Sequence, residues 1–171
     1  MKKLLSMALV LAMLLSLSVP AFAADAEYNN TQAFLNDMKN EEGFTLDLAG
    51  VTDFAGEKYE EVDVSYKGEL SKYTSNFSVF FNQDEKDIVY YMGQVIKFDE
   101  SKLSDVLAEV NRINAQTTGL KLYVDTSDNT VSAELFLLVT KESAADLSLY
   151  GIGFFIAYTD GLYERLKDYS V

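Results

Sequence analysis

The chain has no histidine, no cysteine and no tryptophan, and its only proline is Pro20. Each absence removes a class of function. Without histidine there is no Ser-His-Asp or Cys-His catalysis, no histidine-based zinc site and no general base titrating near neutral pH. Without cysteine there is no thiol nucleophile, no thiolate metal site and no disulfide. The motifs S-x-x-K, G-x-S-x-G and the P-loop are also missing. Two carboxylates about 5 to 9 Å apart would suffice for a glycosidase. With 27 Asp and Glu such pairs arise by chance, and no tryptophan is there to stack on a sugar. The composition points away from an enzyme and implies no cofactor.

Positive charge is scarce too, with 14 Lys and Arg and a formal net charge of −13. An acidic surface of that size repels phosphate backbones and anionic lipid heads, so nucleic-acid and membrane-surface binding are not expected. It suits a basic protein partner, loose cation binding or plain solubility.

The chain opens with Lys2 and Lys3, an apolar run from Leu4 to Val19, and the small-residue triplet Ala21-Phe22-Ala23. This is the pattern of a secretory signal peptide cleaved after Ala23, and the run is short for a spanning helix of about 20 residues. No cysteine follows it, so a lipid anchor is not expected. Cleavage leaves 148 of the 171 residues and, by removing Lys2 and Lys3, takes the charge from −13 to −15. That length is enough for one domain, from residue 24 to 171 with a polar leader over 24–30, secreted or periplasmic and without disulfides.

The most informative stretch is Leu120 to Val139. Leu120, Leu122 and Val124 alternate with polar or aromatic neighbours, the period of a half-buried strand. Asp125 to Thr130 supplies consecutive turn formers. The return strand ends in the apolar run Leu135-Phe136-Leu137-Leu138-Val139, which fits either a strand covered on both faces or one whose second face meets a partner. The hairpin is the best candidate for the apolar face that the flanking helices cover.

Before it, a short helix runs from Asn30 or Thr31 to about Glu42, with Phe34, Leu35 and Met38 on one face and Gly43 as the stop. Phe44 to Gly56 reads two ways, since FTLDL alternates like a strand and LAGVTDFAG fits a loop. Strands follow around Val62 to Tyr66, Asn76 to Asn82, Asp87 to Met92 and Val95 to Phe98, with turns at Asn82 to Glu85 and at Gly93. Asp99 or Ser101 caps a long helix with Leu103, Val106, Leu107, Val110 and Ile113 on one face and Gly119 closing it. Thr140 or Ser143 caps the last helix, whose stripe is Leu147, Gly151, Phe154, Phe155, Tyr158, Leu162 and Leu166. Gly151 on that stripe would allow close approach to the sheet. The order of helix, strands, helix, hairpin and helix predicts an α+β fold, an antiparallel sheet covered by helices.

From Phe98 to Leu166 this order resembles the YbjN family, whose members look like type III secretion chaperones in fold. The resemblance rests on Val110-Asn111-Arg112-Ile113-Asn114 closing the long helix, the strand LKLYVD, the turn DTSDN, the strand AELFLLV and a last helix of small and aromatic residues. It implies a non-enzymatic protein, with homodimerisation among its options and a sheet surface suited to a protein or peptide partner. Secretion chaperones act in the cytosol, whereas this chain begins with an export signal.

Asp125, Asp128 and Asn129 carry oxygens that could hold Ca²⁺, but the spacing is not D-x-D-x-D-G and no glutamate closes the loop. These residues, like Asp84, Glu85 and Asp87, read as turn chemistry, and no metal ligands are assigned. Gly151-Ile152-Gly153 lacks the third glycine of a dinucleotide loop and reads as packing. The doubled aromatics stand out more. Phe80-Phe81 and Tyr90-Tyr91 each put one ring on either side of a strand, so one face is core and the other is either core or a recognition surface. With Phe136 from the apolar run, Phe80, Phe81, Tyr90 and Tyr91 are the candidate partner-binding residues. The alternatives are an acidic structural homodimer of the cell envelope or secretome, joined through Leu135 to Val139 or the last helix, and a calcium-dependent exported protein.

Overall fold

Alternation that begins at Phe44 folds into a six-stranded antiparallel sheet in the computed structural model, which describes residues 25–54, 56–69, 71–140 and 143–171. The signal peptide and its cleavage site lie outside the described residues. The elements are α1 (Asn29–Met38), β1 (Phe44–Phe54), β2 (Glu57–Tyr66), β3 (Ser75–Asn82), β4 (Asp87–Lys97), a 3₁₀ turn (Glu100–Lys102), α2 (Leu103–Gln116), β5 (Leu120–Asp125), β6 (Thr130–Leu138), α3 (Ala144–Leu166) and a second 3₁₀ turn (Lys167–Tyr169). The strand order is β1-β2-β3-β4-β6-β5. This is the expected α+β order, with all the described helices on one side.

Of the segment that read two ways, Phe44–Phe54 is strand. The register of β1 against β2 slips by one residue between Leu48 and Gly50, and Gly50 takes φ +107°. A bulge of this kind lets an imperfect alternation stay paired. Gly93, expected as a turn, lies inside one continuous strand. Four steps of β4, from Met92 to Ile96, match the two from Ala133 to Val131 on β6, so the excess is absorbed as a bulge. β3 pairs with β4 only from Ser78 to Phe81, while its first residues lie against β2 alone.

The core fills the space between one sheet face and the helices. Phe34 of α1 packs on Phe81 with ring centroids 5.2 Å apart, and Phe155 of α3 meets Phe77 at 5.2 Å and Tyr90 at 5.7 Å. The hairpin lies at one end of the sheet rather than its centre. α2 runs along β5, but α3 rests mainly on β4. Gly151 sets that packing: a Cβ there would lie 2.5 Å from the Tyr90 hydroxyl and 2.7 Å from its ring. The buried stripe of α3 is accordingly Ser148, Gly151, Ile152, Phe155, Ile156, Thr159, Leu162 and Leu166. Phe154, expected inside, is exposed, and Tyr158 is half-buried. The helix is apolar around most of its circumference, so spacing alone left its rotation open. Leu107 of α2, also expected inside, is exposed.

Caps differ from expectation as well. Asp99 caps the 3₁₀ turn ahead of α2 by accepting from the Ser101 N–H at 2.9 Å. No side chain of its own caps α1. Instead Glu60, buried on the covered face of β2, accepts the Glu27 and Tyr28 N–H groups at 2.7 and 2.9 Å. This carboxylate accepts the N–H of the N-cap residue Tyr28 and of the residue before it, lies where the helix dipole favours negative charge, and ties down the residues just before α1. The segment before β3 is strapped to α3. Asp160 accepts from the Ser71 hydroxyl and the Lys72 N–H, and Glu164 accepts from the Tyr73 hydroxyl at 2.8 Å and pairs with Lys72 and Lys167.

Candidate partner-binding face

Period-2 alternation sends every second residue of each strand to the side away from the helices. Pairing register then aligns those residues into rows that cross the sheet. One row runs from Glu61 through Phe80 and Val89 to Phe136. The next runs Asp47, Asp63, Ser78, Tyr91, Glu134 and Lys121, one residue from each of the six strands. With strands about 4.8 Å apart, this second row is about 24 Å long.

Phe80, Val89 and Phe136 of the first row, with Tyr91, form an apolar groove of 530 Å³ whose walls also include Tyr59 and Glu134. A second depression of 470 Å³ shares Tyr91 and extends toward β1 past Ser78, Asp63 and Asp47. The two meet where β3 and β4 part. Tyr91 and Phe136 are 38% and 42% exposed, large values for rings in the middle of a sheet, and Leu138 beside them is 76% exposed. Neighbouring aromatic and branched side chains on one uncovered face make a contiguous apolar patch with a polar rim, the composition of a protein-recognition surface.

Burial raises three titratable groups beside the groove, Glu134, Tyr123 and Asp87. Burial holds the Glu134 carboxyl above its ordinary range, against a hydrogen bond from Tyr123 that acts the other way. Burial also raises the Tyr123 hydroxyl, with the Glu134 charge adding to it. Behind Tyr59, Asp87 is 5% exposed; burial raises its carboxyl although the Tyr59 hydroxyl bonds it, and its Oδ1 has no hydrogen-bond partner. The ion pairs among the described residues join Lys72, Lys86, Arg112, Arg165 and Lys167 to Glu57, Glu109 and Glu164. None of them reaches Asp47, Asp63 or Glu134. Lys121, the one cation of the row, donates its Nζ to the Asn114 and Thr117 carbonyls at the end of α2.

The five candidate residues divide as the doubled aromatics require. Phe80, Tyr91 and Phe136 stand together on the open face, whereas Phe81 and Tyr90 are fully buried beneath the helices. Burial corrects the candidate set: Phe81 and Tyr90 hold the fold and have no surface to offer. The Tyr90 hydroxyl donates to the Ser148 carbonyl at 2.6 Å inside the core, and burial drives its pKa far up. Sequence reasoning missed Tyr59, Val89, Glu134, Asp47 and Asp63. Their only signal is alternation, which gives a side of one strand but not which other strands lie beside it. The turn oxygens are occupied locally: Asp125 accepts from Ser127 and Asp128 from Thr130, and Asn129 takes φ +59°. No group of three or more His, Cys, Asp and Glu among the described residues is placed to hold a metal ion. No described helix is long and apolar enough to cross a membrane.

No curated protein and no solved structure matches the chain. A family profile does match, over residues 60–167, with the description "Putative bacterial sensory transduction regulator". That span contains the groove except for its Tyr59 wall, and all of β3 to α3, leaving out β1 with Asp47. The family is described as regulatory rather than by a reaction. The match extends over well over half of the sequence, and the chain belongs to the YbjN family.

Proposed function

We propose that this is an exported, non-enzymatic binding module that engages a protein or peptide partner through the helix-free face of its sheet. The observation that carries the reading is the groove itself. Phe80, Val89, Tyr91 and Phe136 converge on one uncovered surface although buried positions for large rings exist a residue away on the same strands. Large rigid rings bury much area on binding at little entropic cost. The regulatory description of the family agrees with a role exerted through contact. Export rests on the first 23 residues alone; N-terminal sequencing of protein recovered outside the cytoplasm should begin at Ala24.

The binding reading is tested by immobilising the protein and a Tyr91→Asp, Phe136→Asp variant, and exposing both to envelope and culture-fluid extract of the source. A polypeptide retained by the parent and lost from the variant, with circular dichroism unchanged, supports the sheet face. Equal retention by both, or none by either, removes it.

A second reading, a structural homodimer, draws on α3. Its outer side is an apolar strip of Tyr150, Phe154, Ala157 and Gly161, all exposed and free of charge. An acidic chain can self-associate there without bringing carboxylates together. Sedimentation should then show a dimer that Phe154→Asp converts to monomer; a monomer across micromolar concentrations removes this reading.

A further inference from the structure

We propose that the segment received by the helix-free face is basic as well as apolar: it lays a large apolar side chain across Phe80, Val89 and Phe136 and sets a lysine or arginine over Asp47 and Asp63. The inference rests on the sheet-face reading and specifies the chemistry of its partner.

Asp47 and Asp63 are directly opposed on neighbouring antiparallel strands. Side chains in that relation have Cβ atoms about 5 Å apart, and like charges there destabilise the sheet. The Ser78 hydroxyl donates to Asp63 at 2.6 Å, and none of the ion pairs among the described residues involves either carboxylate. A fold that keeps two opposed, uncompensated carboxylates beside an exposed apolar groove is complementary to a cation carried next to an apolar anchor.

The dimensions agree. Asp63 and Phe136 lie three strands and one row apart, about 16 Å, which an extended segment of about five residues spans. Tyr91 lies between them as a wall common to both depressions, where its ring can meet the apolar stem of a long cationic side chain. Glu134 sits at the other margin, half-buried; Lys121 lies opposite it in register but turns its Nζ to the Asn114 and Thr117 carbonyls, so the carboxylate offers a second acceptor. A second copy of this chain would set the row of Asp47, Asp63 and Glu134 against itself. Nucleic acid and anionic lipid would meet the same repulsion. Of the available occupants, a basic polypeptide segment alone satisfies both halves of the face.

The test titrates three short peptides into the isotope-labelled protein and follows backbone amide resonances. The probes are acetyl-Lys-Phe-Leu-Phe-Lys-amide, a twin with glutamate in place of both lysines, and acetyl-Lys-Ser-Gly-Ser-Lys-amide. The first should move Asp63, Tyr91 and Phe136 together and weaken with added salt. The other two should bind at least about tenfold more weakly. Asp47→Asn combined with Asp63→Asn should cut affinity for the first peptide about tenfold while keeping or raising the melting temperature, since it relieves the repulsion. If the glutamate twin binds as well as the lysine peptide, the basic partner is refuted and the sheet-face reading stands. If no peptide moves open-face resonances at millimolar concentration, both fall.

Discussion

Replacing Gly151 by alanine should destabilise the protein, although alanine is the better helix former by about 1 kcal/mol. The new Cβ would sit 2.5 Å from the Tyr90 hydroxyl oxygen and 2.7 and 2.8 Å from ring atoms. Ordinary carbon contacts are about 3.5 to 4.0 Å, so the helix and the ring must separate by about 1 Å. Tyr90 cannot swing aside, because it is fully buried between β4 and α3 and anchored by its hydrogen bond to the Ser148 carbonyl. Overpacking a core costs about 1 to 3 kcal/mol, and weakening that buried hydrogen bond about 1 more. Less the propensity gain, the loss should be about 2 kcal/mol. Gly153 and Gly161, on the same helix, have nothing within 4 Å of their would-be Cβ. Alanine at either should therefore stabilise by about 0.5 to 1 kcal/mol. Urea unfolding followed by circular dichroism reads all three. Tyr90→Phe removes the nearest atom and, combined with Gly151→Ala, should recover about 1 kcal/mol relative to additivity. A Gly151→Ala midpoint at or above that of the parent would refute the claim that this glycine fixes where α3 rests.

Glu60→Gln should cost about 2 kcal/mol and speed amide exchange in α1, since two backbone N–H groups lose a charged acceptor; unchanged exchange there counts against the cap. Burial raises the Asp87 carboxyl above 3.8, so the fold favours its protonated form: the associated stability is complete below 3.8 and lost as pH rises through the folded value. Asp87→Asn should therefore raise the melting temperature at pH 7 and lose that advantage in acid, and a gain independent of pH would contradict this. Lys167, then Tyr73 and Lys72, hold the Glu164 carboxyl down at about 2, so its contribution is present above 4.5 and lost as pH falls toward about 2. Glu164→Gln should remove that acid limb and expose residues 71–73 to protease at neutral pH. Tyr91→Asp should cost under about 1 kcal/mol and Phe81→Asp more than about 4, because only the second buries a charge; similar costs would mean the two faces are misassigned.

The order of elements was legible because period 2 and period 3.6 differ strongly along this chain, from Val62-Asp63-Val64 to Val106, Val110 and Ile113. Phe80-Phe81 and Tyr90-Tyr91 also announced that each strand carries a ring on both sides. Which ring faces out depends on where the helices lie, and that is settled by contacts such as Gly151 on Tyr90 between residues 61 positions apart. The row from Asp47 to Glu134 was not legible, since register alone assembles it from distant segments. Gly93 misled because a glycine in a bulge and a glycine in a turn look alike before the partner strand is known. Glu60 gave no signal for the opposite reason. It shares the alternation of Val62 and Val64, yet a glutamate beside a glutamate reads as solvated until the backbone groups it serves are in view.

The short pairing between β3 and β4 has a consequence for motion. Only four residue pairs, Ser78 to Phe81 with Tyr91 to Ile88, join β1-β2-β3 to β4-β6-β5. The sheet is thus two three-stranded leaves on a narrow spine, and the spine has the fewest hydrogen bonds to break when the molecule breathes. Phe80 belongs to one leaf; Val89, Tyr91 and Phe136 belong to the other. The angle between the leaves therefore sets the width of the groove. A segment lying across Phe80 and Phe136 would staple the leaves at one angle, so that occupancy and opening become a single equilibrium. Slower amide exchange along the spine would report it.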